Sequence, residues 1–130
     1  MIEANHIATP TAIKQLSLYD GDPFSDETLY RSTVGALQYL LFTRPDFAFS
    51  VNKVCQFMHK PTEVHWQAIK RILRYLARTI NHGICFIATP NTTLTAFTDA
   101  DYASSPNDRR STGGFCIYLG DNLVSWSCSK

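Results

Sequence analysis

Between positions 25 and 82 the apolar residues recur at spacings of three and four, and beyond Gly83 the period falls to two. Ahead of both zones, residues 1–24 hold Pro10, Asp20-Gly21-Asp22 and Pro23 without a sustained period, which predicts an extended, poorly anchored lead segment. A first helix starts at a cap supplied by Ser25 or Asp26, with Asp26 and Glu27 suited to the positive end of its dipole. Its apolar face is Leu29, Val34, Leu37, Leu40 and Leu41, running to about Phe42. Thr43-Arg44-Pro45-Asp46 then breaks the helix and begins another, because proline fits a first turn but not a helix interior. Phe47, Val51, Val54, Cys55 and Met58 stripe this second helix. Lys60-Pro61-Thr62 repeats the break, with Thr62 as cap. The third helix has the most regular pattern, Trp66, Ile69, Leu73, Leu76 and Ile80 with Ile72 widening the stripe. Gly83, after Asn81-His82, is expected to close it in a left-handed cap.

In the second zone, residues 84–88, 94–98, 114–119 and 123–127 read as short strands. The last two are joined by a tight hairpin at Gly120-Asp121-Asn122. Helices followed by antiparallel strands predict an α+β chain in two units, with the boundary near residues 81–93. Three or four strands without a covering helix leave one apolar face of the sheet open.

The 130 residues amount to about one domain, long enough to bury a core. A 45% hydrophobic and 12% aromatic content excludes a disordered charged tail. Arg44 and Lys53 interrupt the richest apolar stretch well short of the ~18 residues a membrane span needs. Residues 1–11 lack the basic and apolar regions of a secretory signal, so an intracellular setting is expected. Cys55, Cys85, Cys116 and Cys128 lie far apart without CxxC spacing, which predicts thiols with no disulfide partner. Net charge changes the picture more, because the overall +1 is unevenly spread. Residues 1–30 carry five acids against one base, and residues 83–130 four acids against three bases. Residues 31–82 carry eight bases against Asp46 and Glu63 alone. A basic middle third points to a polyanionic partner.

Four groups of residues are candidates for chemistry. Asp99-Ala100-Asp101 ends a strand, and a period of two places both carboxylates on one side. Such a pair either holds a hard cation such as Mg²⁺ or merely terminates the strand and opens the turn. Asp108-Arg109-Arg110-Ser111-Thr112 is a polar loop whose arginines either grip phosphate oxygens or pair with Asp108 at the surface. Lys70, Arg71, Arg74 and Arg78 share one side of the third helix, with no acid from Gln67 through Thr79, as a sequence-independent contact with a nucleic-acid backbone requires. The competing reading is an ordinary solvated face. Finally, Cys55, His59, His82 and Cys85 supply the ligand types of a tetrahedral zinc site, although Cys55 and Cys85 also read as small buried hydrophobes.

These residues resemble the pol polyprotein of copia-type retrotransposons, a family abundant in plants. The blocks run in the family's order: Thr9-Pro10, Leu16-Ser17-Leu18-Tyr19-Asp20-Gly21, Tyr30-Arg31-Ser32, Val34-Gly35-Ala36-Leu37-Gln38-Tyr39-Leu40 and Thr43-Arg44-Pro45-Asp46. They continue through Val51-Asn52-Lys53-Val54, His65-Trp66, Lys70-Arg71-Ile72-Leu73-Arg74-Tyr75-Leu76 and His82-Gly83. Asp99-Ala100-Asp101, Asp108 to Thr112, Gly114-Phe115-Cys116 and Asn122 to Ser127 complete the set. The resemblance implies that residues 25–82 are a three-helix, thumb-like end of a reverse transcriptase packing on an RNA–DNA hybrid or DNA duplex. Residues 83–130 are then an incomplete antiparallel ribonuclease H sheet. It implies Mg²⁺ in the intact parent, held first by Asp99 with Asp101 as alternate, and duplex contacts from Lys70, Arg71, Arg74, Arg78, Arg109 and Arg110. The family's Tyr-x-Asp-Asp polymerase motif and the later ribonuclease H acids have no match in these residues. A truncated, catalytically inactive piece without a bound cofactor is therefore expected. A small autonomous nucleic-acid-binding or interaction module and a zinc-stabilised domain are the alternatives.

Overall fold

A computed structural model describes residues 9–10, 16–18, 21–101 and 109–129, and divides the chain into two units, Met1–His82 and Gly83–Lys130. In the first unit, helix α1 (Glu27–Leu40) starts at Asp26, whose carboxylate accepts the Leu29 N–H at 2.8 Å. A single 3-10 turn at Pro45–Phe47 leads into α2 (Ala48–Cys55), and α3 (Glu63–Arg78) follows. Thr62 and His65 cap α3 reciprocally, with His65 in the place usually held by glutamate.

The core is where the three helices meet: Tyr30, Val34 and Leu37 from α1, Phe47, Val51 and Val54 from the turn and α2, and Ile69 and Ile72 from α3. Three expectations are corrected here. The buried face of α1 runs through Tyr30, not Leu29 or Leu40, both of which are exposed. The phenol explains this: its ring fills the core and its hydroxyl donates to the Val54 carbonyl at 2.8 Å, so burial leaves no polar group unpaired. Ile80 is 78% exposed, because α3 stops at Arg78. Gly83 is not in the left-handed region, so the helix is closed by other means described below.

The lead segment is anchored wherever it is described. Pro23 bridges Thr62, the Phe24 N–H donates to the Pro61 carbonyl and the Glu63 N–H to the Asp22 carbonyl, each at 2.9 Å. Phe24 stacks on Trp66 with ring centroids 4.8 Å apart, and Leu16 packs against the core. Gly21 makes this possible. It has a φ of +81°, and a Cβ there would meet a Val64 methyl at 2.8 Å.

The second unit is a three-stranded antiparallel sheet in sequence order, β1 (Leu94–Asp101), β2 (Thr112–Leu119) and β3 (Asn122–Ser129). The two-residue turn Gly120-Asp121 joins β2 to β3, with Gly120 at φ +58° as a tight hairpin of this length demands. The expected strand at 84–88 is absent. The Asn122 side chain instead clasps Ile87, accepting its N–H at 2.7 Å and donating to its carbonyl at 2.8 Å, which satisfies that residue without a ladder. None of the buried core residues belongs to this unit. Phe97, Phe115, Leu119 and Val124 remain exposed, so the open apolar surface extends over both faces of the sheet.

Ile69→Ala is expected to cost about 2–5 kcal/mol by emptying a fully buried site. Val124→Ala, at an exposed position, should stay within about 0.5 kcal/mol. Urea unfolding followed by Trp66 fluorescence and circular dichroism measures both.

Candidate nucleic-acid interface and carboxylate pair

At about 100° per residue, burial of His65, Ile69 and Ile72 leaves Lys70, Arg71, Arg74 and Arg78 within an arc of roughly 100° on the far side of α3. Lys70 and Arg78 are exposed, while Arg71 and Arg74 are half-buried. Arg71 donates to the Thr9 hydroxyl at 2.9 Å, and its buried Nε has no hydrogen-bond partner among the described residues. The only acid on α3 is Glu63, in the first turn, where it suits the helix dipole and lies far from this arc.

The end of α3 is held by a network that spacing alone does not reveal. Arg44, 8% exposed, grips Asp46 with both arms of its fork, Nε to Oδ1 at 2.9 Å and Nη2 to Oδ2 at 2.8 Å. It also donates to the Thr79 carbonyl at 2.9 Å and the Thr79 hydroxyl at 2.7 Å. The Tyr75 hydroxyl completes the set by donating to Asp46 at 2.8 Å. Arg44 thus supplies the donor that a helix C-terminus lacks, in place of a glycine cap. The hydrogen bond from Arg44 holds the Asp46 carboxyl below its ordinary value, and the bond to Asp46 raises the Tyr75 phenol.

His65 plays a matching part at the other end. Its Nδ1 accepts the Thr62 N–H at 3.0 Å, which leaves Nε2 to donate to the Ser17 carbonyl at 2.9 Å, while Phe57 stacks on the ring at 3.9 Å. Arg31 joins α1 to the chain after α2 by donating to the Met58 carbonyl at 2.9 Å. Tyr30-Arg31, Thr43 to Asp46 and His65-Trp66 are therefore scaffold.

In the sheet, Asp99 lies opposite Gly114 and Asp101 opposite Thr112, so both carboxylates share a face of β1 and are exposed. One Asp99 oxygen accepts the Ala100 N–H at 2.9 Å. Gly114 leaves no side chain across from Asp99. Arg109, in the left-handed region at φ 52°, and Arg110 are exposed and lead into β2 at the same end of the sheet. Asp108, their candidate partner, lies outside the described residues.

The zinc set does not assemble. Among the described residues no group of three or more histidine, cysteine, aspartate or glutamate side chains is placed to hold a metal. Cys55 packs against the helical core, and burial pushes its thiol up, away from the thiolate a metal would need. The four cysteines form no disulfide, and no helix among the described residues is long and apolar enough to cross a membrane.

The sequence that folds into this helical unit and meander has relatives among known proteins. The whole chain is 54% identical to the retrovirus-related Pol polyprotein from transposon RE1 of Arabidopsis thaliana and 49% identical to that from transposon RE2. It spans 9% of the length of each. It is also 42% identical, over its full length, to 54% of an uncharacterised mitochondrial protein of the same plant. No family model matches the chain and no solved structure resembles it. The chain belongs to the retrovirus-related Pol polyproteins of copia-type transposons.

Because Asp46 is more acidic folded than unfolded, its pairing stabilises the chain above the ordinary carboxylate value of 3.8 and ceases to do so as pH falls through the lower folded value. The melting-temperature difference between the wild type and Asp46→Asn should accordingly be full at pH 6–7 and close below pH 4, a trend that thermal scans across pH measure.

Proposed function

We propose that the helical unit is the thumb-like end of a reverse transcriptase, and that β1–β3 are the opening strands of a ribonuclease H domain. The parent polyprotein would carry out RNA-directed DNA synthesis and remove the RNA strand from RNA–DNA hybrids. The observation that supports this reading best is the basic arc of α3. Four cations on the face opposite the buried stripe, with no acid among them, suit a phosphate backbone tracked without regard to sequence. In this reading the polyanion is an RNA–DNA hybrid or DNA duplex.

In the intact parent, Asp99, with Asp101 as alternate, would hold Mg²⁺. Two oxygen donors on one strand face suit a hard cation, and Gly114 leaves the approach to Asp99 clear. Bound there, the ion would supply positive charge to a phosphodiester oxygen. Arg109 and Arg110 would take a neighbouring phosphate through their forked donors.

These 130 residues alone are inactive in this reading. Two-metal phosphoryl chemistry needs several carboxylates around ions about 3.5–4 Å apart, and the described residues bring together only the Asp99–Asp101 pair on this strand face.

Fluorescence anisotropy with a labelled RNA–DNA hybrid tests the interface. Binding should weaken with salt at a log–log slope of roughly −3 to −4 for four phosphate contacts. Replacing Lys70, Arg71, Arg74 and Arg78 by glutamine should flatten that slope, and an unchanged slope would remove α3 from the interface. With Mg²⁺ or Mn²⁺ neither hybrid cleavage nor primer extension is expected; cleavage abolished by Asp99→Asn would overturn the inactive assignment.

A further inference from the structure

The helical unit presents two aromatic rings that its own fold leaves unused. Tyr39, in the last turn of α1, is 75% exposed, and Phe42, just beyond it, is 76% exposed. Their rings meet edge to face with centroids 5.8 Å apart, so they form a small preorganised platform. The platform sits at a defined end of the unit. Phe42 is two residues before Arg44, and Arg44 bonds Thr79, which is flanked by exposed Arg78 and exposed Ile80. Aromatic surface and a cation are thereby held at the same end by the Arg44–Thr79 contacts.

Charge decides between the surfaces that could cover such a platform. Of the two acids in residues 31–82, Asp46 lies at this end, and Arg44 and Tyr75 already occupy it. The other acid of residues 31–82, Glu63, is at the opposite end of α3. An occupant must therefore combine negative charge with flat apolar faces. Unpaired nucleotides do so, since every base carries a π-face and every linkage a phosphate.

We propose that Tyr39 and Phe42 form a stacking site for unpaired nucleobases, so that the chain binds single-stranded nucleic acid through its bases as well as through the phosphates gripped by α3. This rests on the nucleic-acid reading of α3 and deepens it by naming the strand form and the part of the nucleotide that is recognised.

Anisotropy with the 130-residue chain at fixed salt tests it with three labelled probes of equal phosphate number: a single strand, the same strand with abasic sites, and a closed duplex hairpin. The single strand should bind at least about fivefold tighter than its abasic counterpart, the low end for one stacked base. The double variant Tyr39→Ala with Phe42→Ala should lose that advantage while abasic and duplex binding stay unchanged, and Tyr39→Phe alone should keep it. Both positions lie outside the core, and an unchanged melting curve verifies the fold of each variant. Equal binding of single-stranded and abasic probes, or an advantage that survives the double alanine change, overturns the stacking site but leaves the α3 interface standing. So does loss of self-association on sedimentation without loss of base-dependent binding, which would mark a protein-docking surface. Failure of the wild type to bind any probe removes both readings.

Discussion

Ile69 and Ile72, shut off from solvent in the core that α3 shares with α1 and α2, dictate what the rest of α3 can do. Once these two side chains face inward, a helical period of about 100° leaves no freedom in where Lys70, Arg71, Arg74 and Arg78 point. The positive arc is thus a by-product of apolar packing. It is rigid for the same reason, because turning α3 enough to hide its cations would expose its core residues. The hydrophobic contact sets the direction of the helix, and electrostatics then acts from a fixed platform.

Polar residues finish what this packing begins. Three helices separated by prolines have many unsatisfied ends, and each end needs a partner if it is to be buried. Arg44 closes α3 at Thr79, His65 and Thr62 close its start, and Tyr30 takes up the Val54 carbonyl near the end of α2. Several of the short motifs that mark this chain as a Pol relative fall on these positions. What they have in common is the geometry of chain ends. Other blocks of the same set, Lys70 to Leu76, Asp99 to Asp101 and the run holding Arg109 and Arg110, carry most of the residues proposed to meet nucleic acid.

The sheet unit is organised differently. Its strands are held by an eight-residue register between β1 and β2 and a bulged one between β2 and β3, and none of the unit's described residues is buried. Backbone hydrogen bonds define its shape, while the apolar contribution that normally stabilises a sheet remains mostly unrealised. Asp99 and Asp101 consequently have a well-defined strand position and a solvent-filled environment. That combination accounts for carboxylates that share a face and, among the described residues, gather no third acid, histidine or cysteine around them.

Periodicity by itself determined the three helices, the breaks at Pro45 and Pro61, the hairpin at Gly120 and the side of α3 that carries its cations, because each depends on neighbours within a few residues. The family relationship was equally legible, in ordered blocks of residues. Tertiary structure alone decided the rest. It buried Tyr30 in place of Leu29, because a hydroxyl can be buried only where a carbonyl 24 residues away waits for it. It ended α3 before Ile80, through an arginine 35 residues upstream that spacing ties to nothing. It left residues 84–88 outside the sheet, with the Asn122 side chain bonding the backbone of Ile87 in place of a ladder. It separated the cysteines and histidines whose spacing mimicked a zinc site, and left Tyr39 and Phe42 facing water. Local pattern records which side of an element is apolar, but which groups find a distant partner depends on contacts that form only when the chain closes on itself.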